Sequence, residues 1–87
     1  MNSRTTRGFW DHYHALPADI QARADRAYDL WLVQPHAPGL QFKRVDPEDP
    51  IYSVRISRNY RALGVLRGDT ITWFWIGKHD IYNRLLR

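Results

Sequence analysis

The first half of the chain spaces its apolar residues as α-helices do. A helix over residues 6–16 would gather four of them near one face: Phe9, Trp10, Tyr13 and Leu16. Pro17 suits the first turn of a second helix, and apolar residues at helical spacing continue from there to Val33. Proline and glycine between 35 and 39 end the pattern. The sequence therefore predicts two N-terminal helices.

The second half changes to the two-residue period of β-strands. Strands are predicted over four segments: 40–45, Ile51–Ser57, Tyr60–Arg67 and 70–76. Gly68-Asp69 is a two-residue linker of hairpin type, and the run 71–76, apolar on nearly both faces, belongs inside the sheet. Residues 80–87 predict one or two helical turns. The fold class expected is α+β, with two N-terminal helices packed on a small, mainly antiparallel sheet and a short C-terminal helix.

Length and composition restrict the function classes. The 87 residues are enough for one domain spanning 1–87 and leave no room for a second core. The absence of cysteine excludes disulfides, thiol catalysis and thiolate metal sites. Apolar stretches fall far short of the roughly 20 residues of a membrane span, and we expect no leader for export. We expect a cytoplasmic protein that does not enter a membrane.

Charge is divided unevenly along the chain. Residues 1–50 carry six Lys or Arg against seven Asp or Glu, whereas residues 51–87 carry seven against two. Eleven of the 13 cationic side chains are arginine, whose rigid fork of donors suits phosphate. The basic half favours an anionic partner such as nucleic acid. The alternative is an arginine-rich surface that has no such partner.

Basic side chains cluster along the predicted strands. Arg55 alternates to the face opposite Val54 and so points away from the core, and Arg61 follows the tight turn after it. The preceding strand carries Lys43 and Arg44. Strands about 4.8 Å apart bring such cations together on one face, where they would hold a phosphodiester and stabilise a pentacovalent transition state. The alternative is a solvated face with scattered arginines.

His79 follows Gly77 and Lys78 at the end of the most apolar strand, where a chain commonly leaves a sheet to form a site. Imidazole transfers protons near neutral pH. Tyr82 lies three residues further on, so one helical turn would place it beside His79. The alternative is a histidine whose hydrogen bonds are satisfied by the backbone at a strand end.

The other histidines and the tryptophans carry weaker signals. His12 and His14 are two residues apart, which puts them on different faces of a helix, so no metal site is expected. His36 lies in a proline-rich loop without a paired ligand. Trp73 and Trp75 belong to a continuous apolar run, which favours packing in the core over stacking on bases.

The order of these pieces resembles a known family. The carrying segments are Phe9…Leu16-Pro17…Ile20-Gln21, Gln34-Pro35, Leu40-Gln41-Phe42-Lys43, Tyr52-Ser53-Val54-Arg55-Ile56, Asn59-Tyr60-Arg61-Ala62-Leu63 and Ile76-Gly77-Lys78-His79-Asp80-Ile81-Tyr82-Asn83-Arg84-Leu85-Leu86. Together they resemble the RelE/ParE superfamily of bacterial type II toxin–antitoxin toxins, over essentially the whole chain. The strand that ends in Gly-x-His-x-x-Tyr is the most specific part.

The resemblance to the RelE branch implies a metal-independent endoribonuclease, or mRNA interferase, that needs no cofactor and cuts mRNA on the ribosome by attack of the ribose 2′-hydroxyl. Carried over by position, Arg55 and Arg61 would grip the scissile phosphate. His79 would assist the leaving 5′-oxygen, and Tyr82 would stack on or orient a base. The remaining cations would contact RNA backbone: Lys43, Arg44, Arg58 and Lys78.

The resemblance also implies a cognate protein antitoxin that covers apolar surface and screens the arginines. Phe9, Trp10 and Tyr13 are a candidate docking surface for it. The alternative is that these side chains pack on the sheet, which is the expectation for Phe9 and Tyr13.

The chain departs from the family pattern in several places. Residues 1–6 are short and polar, so the N-terminal strand of many relatives is expected to be shortened or missing. Ser53 and Ser57 stand where some nuclease members carry basic residues, and Glu48, the only glutamate, falls in a loop. The superfamily also contains ParE-like toxins that inhibit DNA gyrase without catalysis. That branch, and an inactive RNA-binding relative, remain alternatives to the ribonuclease.

Overall fold

After an N-terminal strand, the helices and strands follow the order that the sequence predicts. The structure is a computed structural model, and it describes residues 1–85. Its elements are β1 (Asn2–Thr5), α1 (Arg7–His14), α2 (Ala18–Val33), a 3-10 turn (Pro38–Leu40), β2 (Lys43–Arg44), β3 (Ile51–Ser57), β4 (Tyr60–Arg67), β5 (Thr70–Lys78) and α3 (His79–Leu85). Leu86 and Arg87 of the predicted tail helix lie outside the described residues.

The five strands form a mixed sheet in the order β1-β5-β4-β3-β2. β1 runs parallel to β5, and the other neighbouring strands are antiparallel. The apolar strand β5 is paired on both sides, which confirms its predicted interior position. The predicted α+β class is confirmed as well, with two helices before a mainly antiparallel sheet and a short helix after it.

An N-terminal strand of four residues is present, so of the two outcomes expected for it, shortened or missing, the second is excluded. Its register with β5 runs from Asn2 opposite Thr70 to Thr5 opposite Trp73. Backbone hydrogen bonds frame the pairing, from Asn2 N to Asp69 O at 2.7 Å and from Thr6 N to Trp73 O at 3.0 Å. β1 lies at the sheet edge and packs little of its own surface, so its sequence lacks the apolar alternation that marks the other strands.

β2 is shorter than the predicted strand over 40–45. The segment begins in a 3-10 turn, and Gln41 then adopts a left-handed conformation with φ of 47°. Backbone in that region cannot continue a strand. Only Lys43 and Arg44 therefore pair with β3.

Local hydrogen bonds set the ends of the two helices. Thr6 caps α1 by accepting from Phe9 N at 3.1 Å. Helix α1 ends at His14, before the predicted boundary at residue 16. The side-chain amide of Gln21 in α2 donates to the carbonyl oxygens of Tyr13 and Leu16, at 3.1 Å each. These bonds satisfy carbonyls at the end of α1 and hold the bend between the helices.

Helix α1 packs on the sheet with part of its aromatic surface. Phe9 and Tyr13 are half-buried against the core, whereas Trp10 is 42% exposed. The Tyr13 hydroxyl also donates to the Asp25 carboxylate at 2.8 Å, which raises the pKa of Tyr13. The packing alternative is thus confirmed for Phe9 and Tyr13, and Trp10 is left as the exposed aromatic side chain of the suggested docking surface.

Two apolar clusters lie on opposite faces of the sheet. The larger one joins the helices to the sheet around Trp31, Ile71 and Trp73. The smaller one contains Trp75 and Leu63, which are paired across β4 and β5, together with Tyr82 of α3. The register between β4 and β5 shifts next to Leu63, and this bulge sends the two tryptophans to different faces. The prediction that both pack in the core is confirmed.

Candidate functional site

The β3–β4 hairpin brings Arg55 and Arg61 together. They are direct partners in the register, and Arg61 is in turn opposite Gly77 of β5. Side chains directly opposite in antiparallel strands have Cβ atoms about 4.5–5.5 Å apart. Both arginines are half-buried on the face that carries the Trp75 cluster. Two like charges at this separation repel each other, and a bound anion would relieve that repulsion.

The hairpin turn holds the Arg61 guanidinium in place. Its Nη1 donates to the carbonyl oxygens of Ser57 at 2.7 Å and Tyr60 at 3.0 Å, with a longer contact to Arg58 O at 3.4 Å. One end of the fork is therefore bound to the backbone. The other N–H groups make no hydrogen bond to residues 1–85 and remain free to bind a ligand.

The surroundings of Arg61 favour an anion. Burial lowers the pKa of the Arg61 guanidinium, the Tyr82 hydroxyl acts in the opposite direction, and the positive charge of Arg55 lowers the pKa further. The group remains charged because arginine titrates far above neutral pH. A cation that is partly desolvated and repelled by a neighbour gains more from a bound phosphate than a solvated one does.

His79 begins α3 beside the same turn. Its backbone N–H donates to Asn59 O at 2.7 Å, which ties the start of α3 to the β3–β4 turn. The ring lies edge-to-face with Tyr82, with centroids 4.8 Å apart and planes at 69°. The predicted proximity of the two side chains is confirmed, and their helical spacing is the cause.

Tyr82 is more buried than a base-stacking role requires. Its side chain is 8% exposed and packs with Leu63 and Trp75. In this arrangement the ring can stack on a base only after α3 moves. The Tyr82 ring contacts the imidazole of His79, and its hydroxyl lies close enough to Arg61 to affect the pKa of that guanidinium.

Lys43 and Arg58 border the arginine pair. Lys43 is opposite Ser53, which lies two positions before Arg55 and so shares its face. Arg58 is exposed in the turn that binds Arg61. Ser53 is one of the two serines that stand where some family members carry basic residues. Its side chain is 2% exposed, so it presents no group to a ligand at this surface.

Arg44 and Lys78 lie apart from the arginine pair. Arg44 is opposite Tyr52, which packs on the helix side, and its Nε donates to Asp46 O at 2.9 Å. Lys78 is opposite Tyr60 and alternates to the side away from Arg61. The expectation that Lys43 and Arg44 share one face is wrong, because adjacent residues of a strand point to opposite faces.

Gly77 shapes the wall of the site. A Cβ atom at this position would lie 2.7 Å from Cζ2 of Trp75, so the indole occupies the space over the glycine. His12 of α1 approaches the same indole, with ring centroids 6.1 Å apart. Trp75 is thus enclosed between α1, β5 and the second apolar cluster.

Gly77→Ala is expected to destabilise the fold by about 1–3 kcal/mol, because the added methyl group overpacks against the Trp75 ring. Urea unfolding would measure the loss, and the near-ultraviolet circular dichroism of the tryptophans would change with it. Gly39→Ala is the matched control, since nothing lies within 4 Å of the Cβ position there. Equal stability of both variants would contradict the overpacking.

Three acidic residues, Asp46, Glu48 and Asp49, lie in the loop before β3. Glu48 is exposed in the loop before β3, as expected. In that loop the Asp46 carboxylate accepts from the backbone N–H groups of Glu48 and Asp49, at 2.8 Å each, and these bonds lower the pKa of Asp46.

Within residues 1–85 no three histidine, aspartate or glutamate side chains are grouped so that they could hold a metal ion. None of the helices described is long and apolar enough to cross a membrane.

Asn83 was not predicted as a site residue. Its side-chain amide lies with Nδ2 3.2 Å from Nδ1 of His79. The four-residue spacing on α3 is the sequence signal that indicates such a contact. That spacing alone does not distinguish Asn83 from a solvated residue.

Several solved structures that share this fold are toxins or toxin–antitoxin complexes. The RelB–RelE antitoxin–toxin complex from Methanococcus jannaschii matches with a TM-score of 0.73 at 16% identity, over 97% of this chain and 99% of that chain. YafQ from E. coli strain BL21(DE3) matches with a TM-score of 0.75 at 6% identity, over 93% and 96%. The YoeB/ParE toxin from Agrobacterium tumefaciens matches with a TM-score of 0.70 at 16% identity, over 91% and 99%. At these identities the likeness shows the fold.

Sequence comparison identifies the family. No curated protein gives a sequence match. The family model of the ParE-like toxin domain, however, matches residues 18–84, which include α2, the arginine pair and most of α3. The predicted RelE/ParE membership is confirmed, and the chain belongs to the family of ParE-like toxin domains.

Proposed function

We propose that this toxin is a ribosome-dependent mRNA endoribonuclease of the cytoplasm, acting as one domain and neutralised by a protein antitoxin. The observation that carries the proposal is the convergence of Arg55, Arg61 and His79 at one end of the β3–β4 hairpin. Two cations and an imidazole are the groups that a phosphodiester transfer needs.

The proposed reaction needs no metal-bound nucleophile, because the substrate supplies its own. The 2′-oxygen forms a bond to phosphorus while the bond from phosphorus to the 5′-oxygen breaks. The 2′-hydroxyl proton passes to solvent, and the 5′-oxygen takes up a proton. The products are a 2′,3′-cyclic phosphate and a 5′-hydroxyl end.

Each side chain has a role that follows from its position. Arg61 presents its free N–H groups to the non-bridging oxygens, where the transition state gains charge, and its fixed Nη1 reduces the entropy lost on binding. Arg55 adds a second positive charge beside it. His79 gives the proton to the departing 5′-oxygen, and Tyr82 supports the imidazole ring.

Contacts outside the reacting phosphate place the RNA. Lys43 and Arg58 flank the arginine pair and would bind neighbouring phosphates or ribosomal RNA. Arg44 and Lys78, on the other side of the sheet, would reach RNA only as part of a larger ribosomal contact. We therefore expect binding to weaken steeply with salt.

The antitoxin is proposed from the relatives. RelE from Methanococcus jannaschii and RelE from E. coli were both solved in complexes with RelB. A partner of this chain would cover exposed apolar surface, Trp10 included, and would screen the arginine pair from RNA.

Induced expression of wild type and His79→Ala, with mapping of cellular mRNA 5′ ends, tests the proposal. We expect new ends within translated messages in wild type and a loss of about 10²–10⁴-fold in the variant, which is the usual contribution of a general acid. His36→Ala, in a loop away from the hairpin, is the matched control and should cleave as wild type does. Undiminished cleavage by a folded His79→Ala protein would contradict the role of His79.

Inhibition of DNA gyrase is the second candidate function. The family model that matches is that of ParE-like toxin domains, and members of that branch act without catalysis. On this reading the same basic surface would bind gyrase, supercoiling by the purified enzyme would stop, and cellular messages would remain whole. Normal growth on expression, with intact messages, would instead indicate an inactive RNA-binding relative.

A further inference from the structure

A cavity of about 270 Å³ lies between the two N-terminal helices and the sheet, on the face away from the arginine pair. Aromatic and aliphatic side chains form most of its wall, among them Phe9 of α1, Trp31 of α2 and Trp73 of β5. Trp10 and Tyr28 also line it and are 42% and 41% exposed, so they mark its opening to solvent. A small organic molecule fits such a space, since an apolar cavity of about 150 Å³ already binds benzene.

Polar atoms without a partner are concentrated in the wall of this cavity. Among residues 1–85, the buried side-chain atoms that make no hydrogen bond are Ser3 Oγ, Trp31 Nε1 and Trp73 Nε1. All three belong to residues that line the cavity, and the two tryptophans are only 2% and 4% exposed. A buried donor without an acceptor destabilises a fold. Three such atoms around one cavity therefore point to a ligand that supplies acceptors there.

Water is a poor occupant of this cavity. Each ordered water needs two to four polar partners, and the cavity has room for several waters beside a mostly apolar wall. The charged residues that line it, Arg4 and Asp25, are exposed, and the Asp25 carboxylate already accepts from the Tyr13 hydroxyl at 2.8 Å. The three unpaired atoms are themselves closed to solvent, so water at the opening does not satisfy them.

We propose that the cavity binds an uncharged, largely apolar molecule of about the size of one aromatic ring, which carries a carbonyl or ether oxygen. The oxygen is required because an indole N–H only donates, whereas the Ser3 hydroxyl can donate or accept. The ligand is uncharged because an ion would lose its hydration among apolar side chains without gaining a buried partner of opposite charge. This site goes beyond the proposed ribonuclease, since it lies on the other face of the sheet from Arg55 and Arg61.

The test uses acetophenone, an aromatic ketone, as the probe. It is titrated into nitrogen-15-labelled wild-type protein while the indole N–H signals are followed by NMR. We expect a saturable downfield shift of the Trp31 and Trp73 N–H protons, because each gains an oxygen acceptor. Trp75 packs on the opposite face and serves as the internal reference. Ethylbenzene has the same ring without the oxygen, so it accounts for ring-current effects and should not move these protons downfield.

Ala27→Leu tests the location of the bound probe. Ala27 is a half-buried residue of α2 that lines the cavity, so the larger side chain occupies space that the ligand needs. We expect the variant to bind acetophenone about tenfold more weakly or worse. Ala22→Leu, exposed on the same helix, is the matched control and should bind as wild type does. Urea unfolding checks that both variants are folded.

Several results would overturn the proposal. They are the lack of a saturable shift in wild type, equal shifts with acetophenone and ethylbenzene, and equal affinity in a folded Ala27→Leu protein. The first would leave the cavity to water or to a side chain of a protein partner. If Ala27→Leu did not fold, the comparison of the two probes in wild type would still decide the matter. None of these measurements needs RNA, so they judge the cavity independently of the ribonuclease.

Discussion

Arg61→Ala is expected to lower the rate of mRNA cleavage by about 10²–10³-fold, the usual effect of removing one preorganised donor to a charged transition state. The structure gives the reason, because Nη1 is bound to backbone carbonyls of the turn and the other N–H groups are left for the substrate. Arg61→Lys should retain part of the activity, since it keeps the charge and loses the planar fork. Cleavage of mRNA on purified ribosomes measures both variants.

The control for this prediction is Arg67→Ala. Arg67 is exposed at the other end of β4, so its removal lowers the net charge equally but leaves the site intact. Its cleavage rate should stay close to that of wild type. If the cleavage rates of the Arg61 and Arg67 variants decreased equally, general electrostatic attraction to RNA would explain the loss. The assignment of Arg61 to the reacting phosphate would then be wrong.

Trp31→Ala is expected to remove about 3–5 kcal/mol from the free energy of unfolding, which for a small domain is much of its total. Trp31 is 2% exposed. Its ring meets Trp73 edge-to-face at 5.4 Å, Phe42 edge-to-face at 5.8 Å and Tyr28 in a stacked contact at 6.2 Å. It thus joins α2 to the sheet, and truncation leaves a cavity between the two layers.

Urea unfolding of purified protein measures this loss. Trp31→Phe, which leaves a smaller cavity, should remain folded if the alanine variant does not, and should lose part of the same stability. Leu32→Ala is the matched control, because its side chain is 51% exposed and the change should stay within about 0.5 kcal/mol. A loss of under about 1 kcal/mol in Trp31→Ala would show that the core closes around the gap.

Several parts of the candidate site could be predicted because they depend on near neighbours in the chain. His79 and Tyr82 meet through one helical turn, and Arg55 faces Arg61 across a tight hairpin. Asn83 has the same kind of spacing to His79. It was missed because a polar residue on a short helix is usually solvated, and only the 3.2 Å contact distinguishes it.

Other parts depend on which surfaces pack together. The burial of Tyr82 follows from the docking of α3 back on the sheet at Leu63 and Trp75, which the local spacing of residues does not predict. The bulge beside Leu63 separates Trp73 from Trp75, although strict alternation would put both on one face. Arg44 was expected to share a face with Lys43, although the alternation of a strand already sends adjacent residues to opposite faces.

The sequence by itself determined the two helices, three of the strands, the hairpin at Gly68-Asp69 and the α+β class, because apolar periodicity and turn residues act over a few positions. The tertiary structure decided the edge strand β1, the burial of Tyr82 and the enclosure of Trp75. Those features depend on strand register and on packing between different elements. The free energy of such contacts cannot be obtained from the pattern of residues within one short segment.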